Sequence, residues 1–311
     1  MRPSEMASLI DRSEKITAGD GTRPLQGRLL LTPAVWYTEE MRFGLDVAQQ
    51  RMSWNENVAR VQFAEELGFD GVWGFDHFQP MYGEGPGECF EGSTTLAGWS
   101  GATSRIRLGL MVAGFTYRHP SVYAAEAITI DHLSNGRLEL SYGAAWYGKE
   151  HRELGIEFLD LKDRVDAFEE AVQVVLGLLT TDDFTFEGRH FQVRGATLNP
   201  KPVQQPHPPL WIGAKGEKRM MPIAAHYADV WHAGGQTDTL VGKSQRMTEL
   251  AEGFGRDPAE LRRASSLSLE GDHDGIAERI EKLEAAGFDY LMCGWPSGGR
   301  PTIEAFARRF L

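Results

Sequence analysis

Asp76 and His77 stand side by side behind the apolar run FDGVWGF. At a strand end the backbone can turn and present both, and imidazole gives or takes a proton near neutral pH, as redox chemistry at a carbon centre often needs; the alternative is a structural Asp and His closing a loop. Ala113 and Gly114 precede Thr116, Tyr117, Arg118 and His119, so a flat ring could approach the backbone there. For Arg118 the favoured role is tying its loop to an acidic neighbour, and for His119 a place beside the following helix start; ligand contacts are the alternative. Gly143, Ala144 and Ala145 repeat the small-residue theme, with Trp146 and Tyr147 as candidate walls and Glu150 and His151 as a candidate local pair. Ala214, Lys215 and Gly216 open a helix near Lys218 and Arg219. Backbone amides at a helix start attract phosphate, and nearby cations add to the effect. The spacing fits neither a P-loop nor a dinucleotide fingerprint. It also follows the fifth strand rather than the seventh and eighth, where barrel phosphate sites usually lie. The residues by themselves point to a phosphorylated planar cofactor.

Other chemistries are poorly represented. The chain has no paired C-x-x-C, no H-E-x-x-H and no G-x-S-x-G, so no metal site or serine-hydrolase elbow is expected. Its two cysteines, Cys89 and Cys293, read as reduced structural thiols of a cytoplasmic protein. A net charge of −12 without a basic block argues against nucleic acid as a partner. No apolar run approaches the roughly 20 residues that span a membrane. No secretory signal is visible at the start.

The elements that must position these residues alternate regularly from Met41 onward. Strands are expected at 41–48, 69–75, 106–112, 138–142, 209–214, 228–234, 264–271 and 288–295, each followed by a helix. Pro120 opens the third helix, where its missing N–H costs nothing. FTFEGRHFQV alternates around Gly188 and reads as a hairpin inserted after the fourth strand–helix unit. Eight such units in 311 residues argue an α/β fold, a (β/α)8 TIM barrel over residues 41–311, rather than an open doubly wound sheet. Residues 1–40 lack periodicity and read as an N-terminal extension, with Met41 a candidate natural start.

Four segments resemble the bacterial luciferase-like superfamily, especially its coenzyme F420-dependent branch. They are AEELGFDGVWGFDHF, TYRHPSVYAAEAITIDHLSNGRLELSYGAAW, FEGRHFQV and PPLWIGAKGEKRMMPIAAHYADVWHAGG. The likeness covers nearly all of 41–311 and is most specific over 116–146. It implies a luciferase-like barrel, a coenzyme F420 or, alternatively, FMN cofactor, a small-molecule substrate and a homodimer. It implies further that Asp76 contacts the deazaflavin and that His77 is the acid/base. A non-prolyl cis peptide is implied at Leu110–Met111 or one residue on, setting Met111 and Ala113 against the ring. Gly143, Ala144, Ala145 and Trp146 are implied to line the cofactor, and Ala214, Lys215 and Gly216 to hold its phosphate.

Departures from the family pattern are Ala113-Gly114 where Thr-Pro is common, Lys215 in place of a glycine, and Met81 and Trp146 in place of the Trp and Glu of the glucose-6-phosphate-oxidising branch. Sugar-phosphate oxidation is therefore disfavoured. The first expectation is hydride transfer between coenzyme F420 and a small organic substrate. The rivals are an FMN-dependent monooxygenase using reduced flavin and O₂, a non-catalytic binder of a flavin-like ligand, and an unrelated barrel such as an aldolase, which no strand-interior lysine supports. Met81, Tyr82, Phe90, Trp146, Trp231 and Trp295 are the candidate apolar entrance.

Overall fold

Short apolar runs separated by capped amphipathic segments give the chain its order. In the computed structural model, which describes residues 41–311, it begins β1 (Arg42–Asp46), α1 (Trp54–Leu67), β2 (Gly71–Gly74), α2 (Gly92–Ala102), β3 (Arg107–Leu110), α3 (Pro120–Leu133) and β4 (Leu138–Tyr142). Next come α4 (Gly148–Leu154), α5 (Leu161–Thr180), β5 (Phe184–Glu187), β6 (Gln192–Ala196), β7 (Leu210–Gly213), α6 (Met220–Tyr227) and β8 (Val230–His232). The last elements are α7 (Thr237–Gly253), β9 (Arg262–Leu267), α8 (His273–Ala285), β10 (Tyr290–Gly294) and α9 (Gly299–Phe310). The reading of residues 1–40 as an extension falls outside the described residues.

Local chemistry explains many boundaries. Ser53 accepts the Glu56 N–H at the start of α1, and Gly68 ends it at φ 92°, where a side chain would be strained. Asp160 caps α5 and Asp272 caps α8 in the same way as Ser53. The third helix and the fourth strand lie where the sequence places them. Several bounds differ from expectation. The seventh barrel strand, β9, runs Arg262–Leu267 and not 264–271, and the helix after β7 begins only at Met220, because 217–219 form a turn. Helix α4 is short and has no apolar period long enough to be seen in the sequence.

Eight parallel strands close in the order β1-β10-β9-β8-β7-β4-β3-β2, and β5-β6 form a separate antiparallel hairpin. One core lies between strands and helices, around Leu45, Leu108 and Phe168. A second fills the barrel: Trp73, Trp211, Val230, Ala264, Tyr290 and Met292, with Met111 packed on it. Trp73 and Trp211 sit 4.4 Å apart between centroids, and Trp73 Nε1 donates to Tyr290 Oη at 2.9 Å. These rings need room, which Gly44 and Gly109 give. A Cβ at Gly44 would collide with Tyr290 Oη, and one at Gly109 with the Trp73 ring. Trp211 Nε1 donates to Glu139 Oε2 at 2.5 Å, and Arg107 pairs with the other oxygen of Glu139. With the barrel packed and tied in this way, the C-terminal mouth remains for chemistry.

Candidate active site

The loop after β2 carries Asp76 and His77 away from the barrel in different directions. Asp76 is buried, and both of its oxygens are taken. Arg118 Nη1 and Nη2 donate at 2.6 and 2.9 Å, and the Gly114 N–H donates at 2.9 Å. Arg118 also pairs with Glu91 and, at 3.1 Å through Nε, with Glu126. Burial alone would lower its basicity, yet Asp76 and the neighbouring carboxylates drive it well above the ordinary range. Arg118 is thus the tie between loops that the sequence suggests, and His119 caps α3 by accepting the Ser121 N–H.

His77 has a different setting. Its Nδ1 lies 3.1 Å from Glu150 Oε2, and a carboxylate can only accept, so Nδ1 carries the proton. Tyr117 Oη donates to the same oxygen at 2.5 Å, while the Phe78 and Gln79 N–H groups donate to Oε1 at 2.7 and 2.8 Å. Four donors therefore saturate one buried carboxylate. Burial works to raise Glu150, but the hydrogen bonds from His77, Tyr117 and Phe78 outweigh it and hold the group below the usual range. Nε2 of His77 has no hydrogen-bond partner among the described residues. The ring lies edge-on to Tyr117, Trp146 and Tyr147 at centroid distances of 6.2, 6.2 and 5.7 Å.

Glu150 and His151 do not form the local pair that their adjacency suggests. Successive helical residues point apart, so Glu150 reaches His77 while His151 accepts a hydrogen bond from the Thr116 hydroxyl at Nε2 (2.7 Å) and donates from Nδ1 to Tyr147 O (2.9 Å). His151 also stacks on Tyr117 at 4.7 Å. It holds the network together without an open ring nitrogen.

The small residues at the ends of β3 and β4 meet one another. Gly143 N–H donates to Ala113 O, Phe115 N–H donates to Gly143 O, and a Cβ on Gly143 would strike Val112. The Met111–Val112 peptide is cis, at the second of the two positions the resemblance allows. Met111 and Val112 remain partly exposed, as do Ala144 and Ala145, while Ala113 is buried. Trp146 is 68% exposed beside His77.

After β7, Ala214 is buried and its amide already donates to His232 O, so it offers no free N–H. Lys215, Gly216, Glu217, Lys218 and Arg219 are exposed ahead of α6. The Lys215 charge reaches the end of β8, where burial first and Lys215 second push His232 down to about 4. Trp231 does not belong to the entrance. It is fully buried, packs on Phe288 and donates to Ala214 O at 2.8 Å.

The luciferase-like monooxygenase family model matches residues 36–274. The chain belongs to that family. An F420-dependent glucose-6-phosphate dehydrogenase of Microbacterium testaceum is 28% identical over 250 residues, covering 78% of this chain and 72% of that protein. An FMNH(2)-dependent dimethylsulfone monooxygenase of Pseudomonas putida is 26% identical over 331 residues, covering 85% and 89%. Among solved structures, an F420-dependent secondary alcohol dehydrogenase in complex with an F420-acetone adduct superposes with a TM-score of 0.78 at 20% identity, covering 86% of this chain and 98% of that one, a likeness of fold. Both cofactor types occur among the family relatives, and oxidoreduction with a deazaflavin or flavin is what they share. The chain is an oxidoreductase of that family.

The structure thus sets His77 beside exposed Trp146. Met111, Ala144 and Ala145 are partly exposed, Lys215 and Gly216 lie in the exposed loop after β7, and Asp76, Ala113, Gly143 and Ala214 are buried. Sequence reasoning missed the tie from Glu150 to His77 and the part of Tyr117. No local signal could have shown them, since the contacts span 73 and 33 residues.

Proposed function

We propose that the protein is a coenzyme F420-dependent oxidoreductase that moves a hydride between the deazaflavin and a small organic substrate, with His77 as its acid/base. The observation that carries this reading is the His77–Glu150 pair: a buried carboxylate fixes Nδ1–H and leaves Nε2 unpaired at the barrel mouth. When bound, the deazaflavin supplies a ring carbon that gives or takes the hydride. His77 Nε2 exchanges the accompanying proton with a substrate oxygen, and Glu150 offsets the imidazolium charge. Exposed Trp146 walls the ring, and partly exposed Met111, Ala144 and Ala145 lie beside it. Lys215 and the open backbone at Gly216 suit a phosphate, where a Cβ would meet nothing nearer than Met220 Cβ at 3.9 Å. Asp76, Gly143 and Ala214 serve the cofactor by holding these loops in place.

The FMN-dependent monooxygenase reading is favoured by one observation: the FMNH(2)-dependent relative aligns over a larger share of both chains than the sugar-phosphate dehydrogenase. Titration with F420 and FMN, each followed by tryptophan fluorescence, separates the two. Tighter F420 binding is expected; tighter FMN binding with O₂ consumption reverses the assignment. Single-turnover hydride transfer by His77→Ala should fall by roughly 10²–10⁴-fold while cofactor affinity stays within about twofold. An unchanged rate would remove His77 from the chemistry.

A further inference from the structure

A cavity of about 280 Å³ opens at the C-terminal ends of β1, β9 and β10, lined by residues of those strands and of the loops that follow. Asp46 ends β1, level with Gly294 of β10 and Trp73 of β2. One of its oxygens accepts the Ala48 N–H at 3.0 Å, and the other has no hydrogen-bond partner among the described residues. The lining combines polar Ser266 and Ser268 with apolar Leu269, Met292, Trp295 and Pro296. No lysine or arginine lines it. The cavity's other carboxylate, Glu270, is tied to Ser297 through its N–H (2.6 Å) and hydroxyl (3.1 Å).

We propose that Asp46 reads the substrate: it receives the hydroxyl or amino head of an uncharged or cationic organic molecule whose apolar body lies against Trp295, Pro296 and Leu269, and it turns anionic molecules away. This rests on the oxidoreductase reading for the reaction but on separate residues for the recognition. A carboxylate with an idle oxygen facing a cavity needs a donor, and a like charge brought beside it is penalised. Burial pushes Asp46 up to about 6, and the Ala48 N–H only partly opposes that. Near neutral pH the group is therefore ionised, and its second oxygen is open to a substrate N–H or O–H. The titratable groups around it are Tyr82 from the β2 loop, Glu270 from the β9 loop and, behind Ser266, His232.

Three probes with one skeleton test this: cyclohexylmethylamine, cyclohexylmethanol and cyclohexanecarboxylate, titrated by ligand-observed NMR against the full chain at pH 7.5, with and without F420. The amine and the alcohol should each bind at least about tenfold tighter than the carboxylate. Asp46→Asn should keep the alcohol and bring amine and carboxylate to within about twofold of each other. Lowering the pH to 5 should weaken the amine, which stays cationic throughout, in the wild type and leave the variant unchanged; this measurement stands if the variant does not fold. Equal binding of carboxylate and amine by the wild type, or an unaltered order in the variant, overturns the proposal. Cofactor binding without head-group preference sinks this inference alone. Asp46-dependent preference without binding of F420 or FMN sinks the cofactor reading and leaves this one standing.

Discussion

The two flanks of the barrel mouth use their charges in opposite ways. On the β2–β4 side Asp76, Arg118, Glu91, Glu126, His77, Tyr117 and Glu150 bind one another, and the hydrogen bonding converges until His77 Nε2 is left open. On the β1–β9–β10 side the groups are sparse, and Asp46 faces a cavity with an oxygen unused. Mutual pairing fixes geometry, which a proton-transfer group requires. Unpaired groups leave recognition energy for a ligand.

If that contrast is right, substitutions on the two flanks should have opposite effects on stability. Arg118→Ala should be the most damaging, at about 3–5 kcal/mol, because Asp76, Glu91 and Glu126 would lose their shared cation in a largely buried setting. Chemical denaturation measures it, and a loss under about 1 kcal/mol would show that the carboxylates simply take up protons or water. Glu150→Gln is expected to cost about 1–3 kcal/mol, since an amide cannot accept from all four donors.

The pH dependence of the two carboxylates also differs in sign. Glu150 is held below its unfolded value, so its contribution is present above the ordinary glutamate range and is lost as acid protonates it. Comparing unfolding of wild type and Glu150→Gln from pH 3 to 8 should show the gap closing only at the acidic end. Asp46 is raised from 3.8 to about 6, so its ionisation costs stability as pH climbs through that window. Asp46→Asn should therefore match the wild type near pH 4 and exceed it by about 1–2 kcal/mol at pH 8. A variant less stable than wild type at pH 8 would mean that Asp46 is structural and the contrast between flanks is false.

Much of the fold was legible because its signals are local. Pro120, Ser53 and the apolar runs mark ends and periods within a few residues, so α3 and β4 fall where the sequence puts them. The site was legible only in part. His77 and Trp146 stand out by type and by position after strands. The small size of Gly143 has a packing reason that the sequence does not show, since a Cβ there would strike Val112. Trp231 looked like a pocket wall on composition, but side chains alternate along a strand, and its face is the one toward the helices.

By itself the sequence determined the strand–helix alternation, the inserted hairpin and the residues that follow each strand, because these depend on periodicity, caps and turns. Only the tertiary structure decided which groups meet: that Glu150 holds His77 and not His151, that Arg118 gathers three carboxylates, and that Asp46 is left facing a cavity. Those outcomes depend on the direction in which a side chain leaves its element and on closure of the barrel, which brings β1 and β10 together from opposite ends of the described chain. No window of sequence contains that distance.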